Sequence, residues 1–401
     1  MKDICNKDKC TGCFACFNIC SVEAITMEAD DFGFLYPIIN TEICVDCGLC
    51  KDICPVNKPL FKQIASTAIA AFSLNSGDRA SSTSGGAASV FSQNVLKNGG
   101  IVYGCSGENA NEIQHIRVSE SEDLYKLKGS KYVQSKMGNC LKDVLKDLQD
   151  NKKVLFTGTP CQIAGLKNFL QKDYENLLTV DLVCHGVPSQ QLLTDSMKSY
   201  SINNSEDINS ILFRKKGTSK KEQKFGIYLY DKSKKNIFSN EFPNENYISG
   251  FLFGLFFRES CYDCTYSSIE RCSDLTIADF WGFQQSADFS VNKHEGLSLI
   301  LPSTEKGRLF FDACKDDFQW TTRSVEEAEN GNGQLQTPSS KNKNFNLFKE
   351  LYPKNGFQKS CEICLKEDRK NHKKQENKQK IRFFLSKIPF AKSIYRLIKR
   401  A

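Results

Sequence analysis

Nine of the chain's nineteen cysteines fall within its first sixty residues, and eight of them repeat one spacing. Cys10, Cys13, Cys16 and Cys20 follow C-x2-C-x2-C-x3-C; Cys44, Cys47, Cys50 and Cys54 follow it again, with Pro55 behind the last. Three cysteines at this spacing let one short loop present three thiolates to one face of an iron–sulfur cube. The fourth, a helical turn further on, points at the other cluster of a two-cluster domain. The spacing therefore assigns Cys10, Cys13, Cys16 and Cys54 to one 4Fe–4S cluster and Cys44, Cys47, Cys50 and Cys20 to a second. A zinc site takes four ligands, usually as two pairs, and leaves the third and fourth cysteine of each run unexplained. A disulfide framework needs an oxidising compartment, and nothing in the sequence addresses the chain to one. Cys5 lies outside the pattern and reads as a bystander.

Residues 1–60 resemble a bacterial two-cluster ferredoxin along their whole length, including the Asp30-Asp31-Phe32-Gly33 turn between the halves. The rest of the chain is long enough for one or two further domains with a real core. The N-terminus MKDICNKDKC has no apolar stretch of the secretory kind. The longest apolar run, Ile248 to Phe257, has about half the ~20 residues that a spanning helix needs. A cytoplasmic protein is expected. Residues 366–401 carry 13 Lys/Arg against 3 Asp/Glu, a local +10 within a total of +7, which leaves the rest of the chain at −3. A body of that charge has no basic surface for nucleic acid, so no nucleic-acid partner is expected.

After Pro59 the cysteines thin out and short apolar runs alternate with amphipathic ones. Strands are expected at 64–73, 101–104, 113–118, 154–157, 178–183 and 297–301. Helices are expected after Gly85-Gly86 to residue 97, then at 138–150, 162–171, 190–200, 246–258 and 305–315. Residues 75–82 read as a polar loop. The alternation implies an α/β core with a partly parallel sheet, and 208–240 reads as a β-rich insertion. The expected fold class is an α+β ferredoxin-like two-cluster domain followed by an α/β core with a β-rich insertion. The expected divisions are 1–60, 61–150, 151–335 and 336–401, the last a loosely ordered linker and basic tail; loose order is expected from about Val325 on.

Four local sequences in the core carry chemistry. Ser81-Ser82-Thr83-Ser84-Gly85-Gly86 directly precedes a helix, whose free N–H groups favour a phosphate; a serine-capped helix start would look the same. Gly129-Ser130-Lys131-Tyr132 offers a cation and an aromatic ring. In Gly158-Thr159-Pro160-Cys161, Thr159 can cap and Pro160 suits the first helical position. Cys161 then lies in the first turn, where a thiolate is favoured. That fits a cluster ligand or redox thiol, and equally a buried structural cysteine. Finally, Cys184-His185-Gly186 ends a strand and Cys261-x2-Cys264 comes later; two lone cysteines and one such pair can together hold one 4Fe–4S cluster. Cys105, Cys140 and Cys314 read as core; Cys361-x2-Cys364 could bind metal with partners elsewhere, but reads first as a solvent-exposed pair.

The series STSGGAASV, GSKYVQS, GTPCQIAGL, LVCHGVPS and CYDC…SDLTIADFWGF, in this order behind a two-cluster ferredoxin, resembles the coenzyme F(420) hydrogenase/dehydrogenase beta-subunit family. The resemblance runs from about Ala65 to Pro302, with Ala278 where the usual motif has glycine. It implies FAD and one 4Fe–4S cluster in the core, with electrons moving between a deazaflavin or other two-electron donor and iron–sulfur carriers. It places the third cluster's ligands at Cys161, Cys184, Cys261 and Cys264 and leaves Cys272 incidental. It places flavin contacts at Ser84, Gly85 and Gly86 and at Thr157, Gly158, Thr159 and Pro160, with Lys131 and Tyr132 as catalytic candidates. Many bacterial members lie near genes for cell-surface polysaccharides.

The function expected is an iron–sulfur flavoprotein oxidoreductase with FAD and three 4Fe–4S clusters. It would pass electrons between a small-molecule donor and a redox partner protein. Two alternatives stand beside it: a ferredoxin-dependent reductase of a metabolite in polysaccharide synthesis, and a non-catalytic electron-transfer adaptor. In the tail, Ile381, Phe384, Leu385 and Ile388, then Ala391, Ile394, Tyr395 and Ile398, recur at helical spacing among Lys and Arg, with Pro389 between the halves. Such a stretch can lie on an anionic membrane surface, which implies peripheral contact with the inner face.

Overall fold

A computed structural model describes residues 3–200, 208–217 and 223–386. The N-terminal part is built on a hairpin of β1 (Ile25–Ala29) and β2 (Leu35–Ile39), paired antiparallel from Ile25↔Ile39 to Ala29↔Leu35. The Asp30 carboxylate closes its turn by accepting the N–H groups of Phe32 at 3.0 Å and Phe34 at 2.9 Å. Each cysteine run is a loop leading into a short helix, Ala15–Ile19 in one half and Leu49–Asp52 in the other. The backbone is left-handed on both sides of the middle cysteine in both loops: Gly12 and Phe14 flank Cys13, and Asp46 and Gly48 flank Cys47. Alternating handedness turns successive N–H groups inward, a concavity suited to an anion.

The core is an eight-stranded mixed sheet. Its strands are β3 (Ala68–Ser73), β4 (Ile101–Ser106), β5 (Gln114–Val118), β6 (Val154–Gly158), β7 (Leu177–Leu182), β11 (Leu275–Asp279), β12 (Ser298–Pro302) and β13 (Phe318–Arg323). In space they lie in the order β13-β3-β12-β11-β7-β6-β4-β5. The pairs β4–β6, β6–β7 and β7–β11 are parallel, and β3 runs the same way because antiparallel β12 lies between it and β11. Five carboxyl ends thus share one edge, where open α/β sheets bind ligands. β3 can sit between two antiparallel neighbours with both faces covered because Ala68, Ala70 and Ala71 fill little space. Between β7 and β11 the chain inserts an antiparallel sheet, β8 (Ser210–Lys215), β9 (Lys224–Tyr230) and β10 (Asn236–Glu241). This insertion lies against the same edge, with the Ala110 N–H donating to the Asn209 carbonyl at 3.0 Å.

Several expectations need correction. The chain beyond Val325 is not loosely ordered: it forms helices Val325–Gly331, Phe345–Cys364 and Lys366–Ser386. Phe345, Phe348, Tyr352, Phe357, Cys361 and Cys364 are buried, and the Asn- and Lys-rich positions between them hide this stripe in the sequence. For the same reason Cys361 and Cys364 are core residues rather than an exposed pair, both 0% exposed. The segment 75–82, expected as a loop, holds a short helix, Ser76–Ser81, whose Asn75 cap accepts the Asp78 N–H. Strands β11 and β13 lie outside the expected set. Most of the amphipathic tail motif lies outside the described residues; Ile381, within them, is exposed. No helix among the described residues is long and apolar enough to cross a membrane.

Phe348 is 1% exposed and packs between Phe256 and Tyr352. Phe348→Ala is expected to lower unfolding free energy by about 3–5 kcal/mol, measured by denaturant titration. The exposed Lys354→Ala should change it by less than about 0.5 kcal/mol. Equal, small effects would mean that this helix does not belong to the core.

Candidate functional site

Cys10, Cys13, Cys16 and Cys54 line one small pocket that opens to solvent, and each thiol feels the other three. Cys54 thus arrives from the second run. Backbone N–H groups serve these sulfurs: Gly12 to Cys10, Ala15 to Cys13, Phe17 to Cys16, and Val56 with Asn57 to Cys54. Cys5 is no distant bystander. Its side chain lines the same pocket beside Cys10 and Cys54, and its approach, ahead of every other influence, lowers their thiols below the ordinary range. In the other half Cys50 lies beside Cys20 and Cys47, and Cys47 is exposed. Cys44 sits at the start of the same loop, its N–H bonded to the Asn40 carbonyl at 3.1 Å.

The four core cysteines come together although 103 residues separate Cys161 from Cys264 in sequence. Cys161, Cys184, Cys261 and Cys264 all lie within mutual electrostatic reach. Cys161 occupies the first turn of helix Pro160–Leu170, fixed by a capping box in which Thr159 and Gln162 bond each other's backbone. Cys184 comes just after β7 and accepts the Gly186 N–H; Cys261 accepts the Val187 N–H. Burial pushes the thiols of Cys161 and Cys184 up to about 12 and about 11, with the neighbouring thiols adding to it. Thiols raised in this way, as those of Cys161, Cys184 and Cys261 are, ionise only against a strongly positive partner, and with Cys264 they make up a four-sulfur donor set that fits an iron–sulfur cube. Cys272 stands apart, buried with its sulfur 3.7 Å from the Pro160 carbonyl.

These two groups adjoin. Cys13 packs on helix Pro160–Leu170 at Gly165, where a Cβ would lie 2.7 Å from the Cys13 Cβ and 2.9 Å from its sulfur. Cys13 and Cys161 feel each other's charge, and the Tyr266 ring lies near both. Arg258, fully buried, reaches from the core into the N-terminal part and bonds Cys10.

The remaining candidates gather on the sheet edge. Gly85 wedges between the backbones of β3 and β12, where any side chain would collide with the Ala71 carbonyl and the Ser298 N–H. The Ser84 hydroxyl donates to the Leu297 carbonyl at 3.0 Å, and Thr83 meets Ser130 at 3.2 Å. The Thr157 carbonyl accepts from Nε2 of the buried His115 ring at 3.0 Å, and Gly158 packs on Gln162. The Lys131 ammonium donates to the carbonyls of Leu127 and Lys128. Tyr132 stacks on Phe251 with ring centroids 4.5 Å apart. Sequence reasoning missed the cations around them. Arg214, from the insertion, holds Asp279 with two bonds of 2.6 and 3.1 Å and lies against the half-exposed Trp281. Lys216 donates to the carbonyls of Ser84 and Arg79. Arg79 and Arg214 each keep a buried Nε without a partner among the described residues. Burial pushes both Lys131 and Lys216 down to about 8, and at Lys216 the Arg79 charge adds to it. The only sequence signal for this cluster is the Arg214-Lys215-Lys216 run in an alternating strand.

Gly165→Leu should force the Cys13 loop off its helix at a cost of about 1–3 kcal/mol. Tryptic cleavage at Lys58 and Lys62 is then expected to quicken several-fold with the circular dichroism of the core retained. An unchanged cleavage rate would mean that the contact does not hold the N-terminal part in place.

Residues 9–58 match the 4Fe–4S dicluster domain, and residues 151–328 match the family described as coenzyme F(420) hydrogenase/dehydrogenase, C terminus of the beta subunit. The chain is similar to the F subunit of the F(420)H(2) dehydrogenase of Methanosarcina mazei, 21% identical over 333 residues that cover 79% of this chain and 85% of the relative. Its N-terminal part is similar to the PorD subunit of the pyruvate synthase of Thermotoga maritima, 36% identical over 55 residues, 14% of this chain and 52% of that subunit. One polypeptide of the xenon-derivatised F(420)-reducing NiFe hydrogenase complex from Methanosarcina barkeri aligns at a TM-score of 0.45 and 16% identity, over 74% of this chain and 94% of its own length. The chain thus joins a 4Fe–4S dicluster domain to a domain of the kind found at the C terminus of coenzyme F(420) hydrogenase/dehydrogenase beta subunits, and over most of its length it is homologous to a subunit of an oxidoreductase.

Proposed function

We propose that the chain holds three 4Fe–4S clusters and one FAD and passes electrons between a two-electron donor and an external one-electron carrier. Cys10, Cys13, Cys16 and Cys54 hold the first cluster, Cys20, Cys44, Cys47 and Cys50 the second, and Cys161, Cys184, Cys261 and Cys264 the third. The observation that carries this reading is the mutual approach of the four core cysteines directly beside Cys13. A flavin would supply the conversion between electron pairs and single electrons.

The sheet edge suits FAD because cations gather there. Lys216 donates to the Ser84 carbonyl, Arg79 lies beside Gly86 with a buried unpartnered Nε while its Nη2 pairs with Glu295 at 3.4 Å, and Lys131 stands further along the edge against Gly107, a setting for a pyrophosphate. Thr157 to Pro160 form the neighbouring strand-to-helix turn. Tyr132 shapes the wall through its stack on Phe251 and its contact with Arg214. The name of the Methanosarcina mazei relative makes reduced coenzyme F(420) the donor to assay first.

Anaerobically reconstituted protein should contain about twelve irons, four per cube. Cys264→Ser should remove about a third of them while Cys272→Ser removes none; the reverse outcome would sink the ligand assignment. Lys216→Met should weaken flavin binding about tenfold to a hundredfold, the worth of charge-assisted bonds to phosphate. A bound anion favours the charged form of Lys131 and Lys216, whose ammonium groups deprotonate near 8 in its absence. Flavin affinity, read by fluorescence quenching, should therefore hold below about pH 8 and fall as pH rises above it. An affinity that rises with pH would rule out these lysines as phosphate partners.

A further inference from the structure

Among the described residues, Arg258 is the largest side chain that is wholly shut off from solvent. A buried guanidinium normally requires a carboxylate, since an unpaired buried charge costs several kcal/mol. Here none of the hydrogen-bonding partners is acidic. Nε donates to the Cys10 carbonyl at 2.6 Å, one Nη to the Gln134 Oε1 at 3.2 Å, and the other to the Leu35 carbonyl at 2.9 Å. That last nitrogen also reaches the Cys10 sulfur at 3.6 Å. The Tyr36 ring lies under the guanidinium, 4.2 Å from its centre. Gly12 is required beside it: a Cβ there would come within 2.9 Å of the guanidinium, at a backbone φ of +64°.

The position of Arg258 joins the two cysteine groups. It stands three residues before Cys261, whose N–H bonds the Arg258 carbonyl at 2.9 Å, and its own N–H bonds the Val187 carbonyl at 3.0 Å. Its charge acts on Cys161 of the core group as well as on Cys10. Neighbouring Glu259 is turned outward to Lys341 and Lys349. The counter-charge available to Arg258 is therefore that of the cysteine sulfurs themselves.

We infer that Arg258 is a positioning residue that sets the reduction potentials of the first and third clusters. Its positive charge and its N–H···S bond to Cys10 make both easier to reduce than they would be beside a neutral side chain. The physical basis is general: a cluster's potential depends on its net charge and on the hydrogen bonds to its sulfurs. Adding an electron to a cube beside a fixed cation is favoured. Arg258 bonds a residue of the first group and is joined through the backbone to one of the third, whereas none of its bonds goes to a cysteine of the second. The second cluster therefore serves as an internal reference. The inference rests on the cluster assignment above, and iron content tests that assignment separately.

The test is an EPR-monitored redox titration of the reconstituted full chain. Signals are assigned by their loss in Cys13→Ser, Cys264→Ser and Cys47→Ser. In Arg258→Gln the reduced-to-oxidised ratio of the first and third clusters, poised at one potential, should fall at least about tenfold, which is about 59 mV for a one-electron couple. The second cluster should not move, and Arg258→Lys should recover part of the shift. Should Arg258→Gln fail to assemble, Gln134→Glu decides: it leaves the arginine in place and supplies a carboxylate where Oε1 now accepts, so both potentials should again fall. Twelve irons with unshifted first and third potentials in either variant, or an equal shift of all three clusters, would overturn the inference. Fewer than twelve irons in the unaltered protein would instead overturn the cluster assignment.

Discussion

A thiolate enclosed by protein needs positive charge nearby, and much of the interior is arranged around that need. Burial raises the thiols of Cys13, Cys16, Cys161, Cys184 and Cys261 above their ordinary range, and neighbouring sulfurs raise them further. The chain answers with backbone N–H groups at nearly every one of these sulfurs and with two buried guanidiniums, Arg258 beside Cys10 and Cys161 and Arg271 beside Cys184. Arg271 is itself paired with Asp181, so dipoles and these cations do not balance the crowded sulfurs, whereas the iron of the proposed clusters would. The left-handed residues beside Cys13 and Cys47, the capping box before Cys161 and the tight contact at Gly165 all serve to bring N–H groups and sulfurs to common centres.

The sheet meets a second need. With five strands running one way, the loops after β3, β4, β6, β7 and β11 leave from one edge, so Ser84–Gly86, Thr159–Cys161, Cys184 and Asp279–Trp281 become neighbours without any long excursion of the chain. The insertion then closes over that edge, and its Arg214 is held by Asp279. On the proposed reading, flavin and third cluster share this edge because helix starts and strand ends are the places where a fold keeps unbonded N–H groups.

The ferredoxin-like segment was legible because its ligands are local: eight cysteines at fixed spacing carry their own geometry. Strand β6 and helix Pro160–Leu170 were legible for a similar reason, an apolar run followed by a capping threonine and a proline. Resemblance, rather than spacing, pointed to Cys161, Cys184, Cys261 and Cys264, since nothing local says that they meet. Apart from Lys131, the buried cations were not singled out by the sequence. Arg258 is one charged residue after an apolar run and reads as surface, yet it is buried, because its partners come from residues 10, 35 and 134. The helix Phe345–Cys364 was misread for the opposite reason: its apolar residues are regular, but Asn, Lys and an internal Pro353 give it the composition of a linker.

The exposure of the groups bears on how such a chain can handle electrons. At one end Trp281 is 56% exposed on the sheet edge; at the other Cys47 is exposed on the N-terminal part. Between them Cys13, Phe14 and Arg258 are buried, and the core cysteines are at most partly open. A small donor can therefore meet the protein at the sheet edge and a protein carrier at Cys47, but neither has ready access to the middle. On the proposed reading, single electrons cross that middle without any atom leaving it and the two-electron chemistry belongs at the sheet edge. Arg258 then stands between the first and third cysteine groups, at the point where Cys13 packs on the helix that carries Cys161.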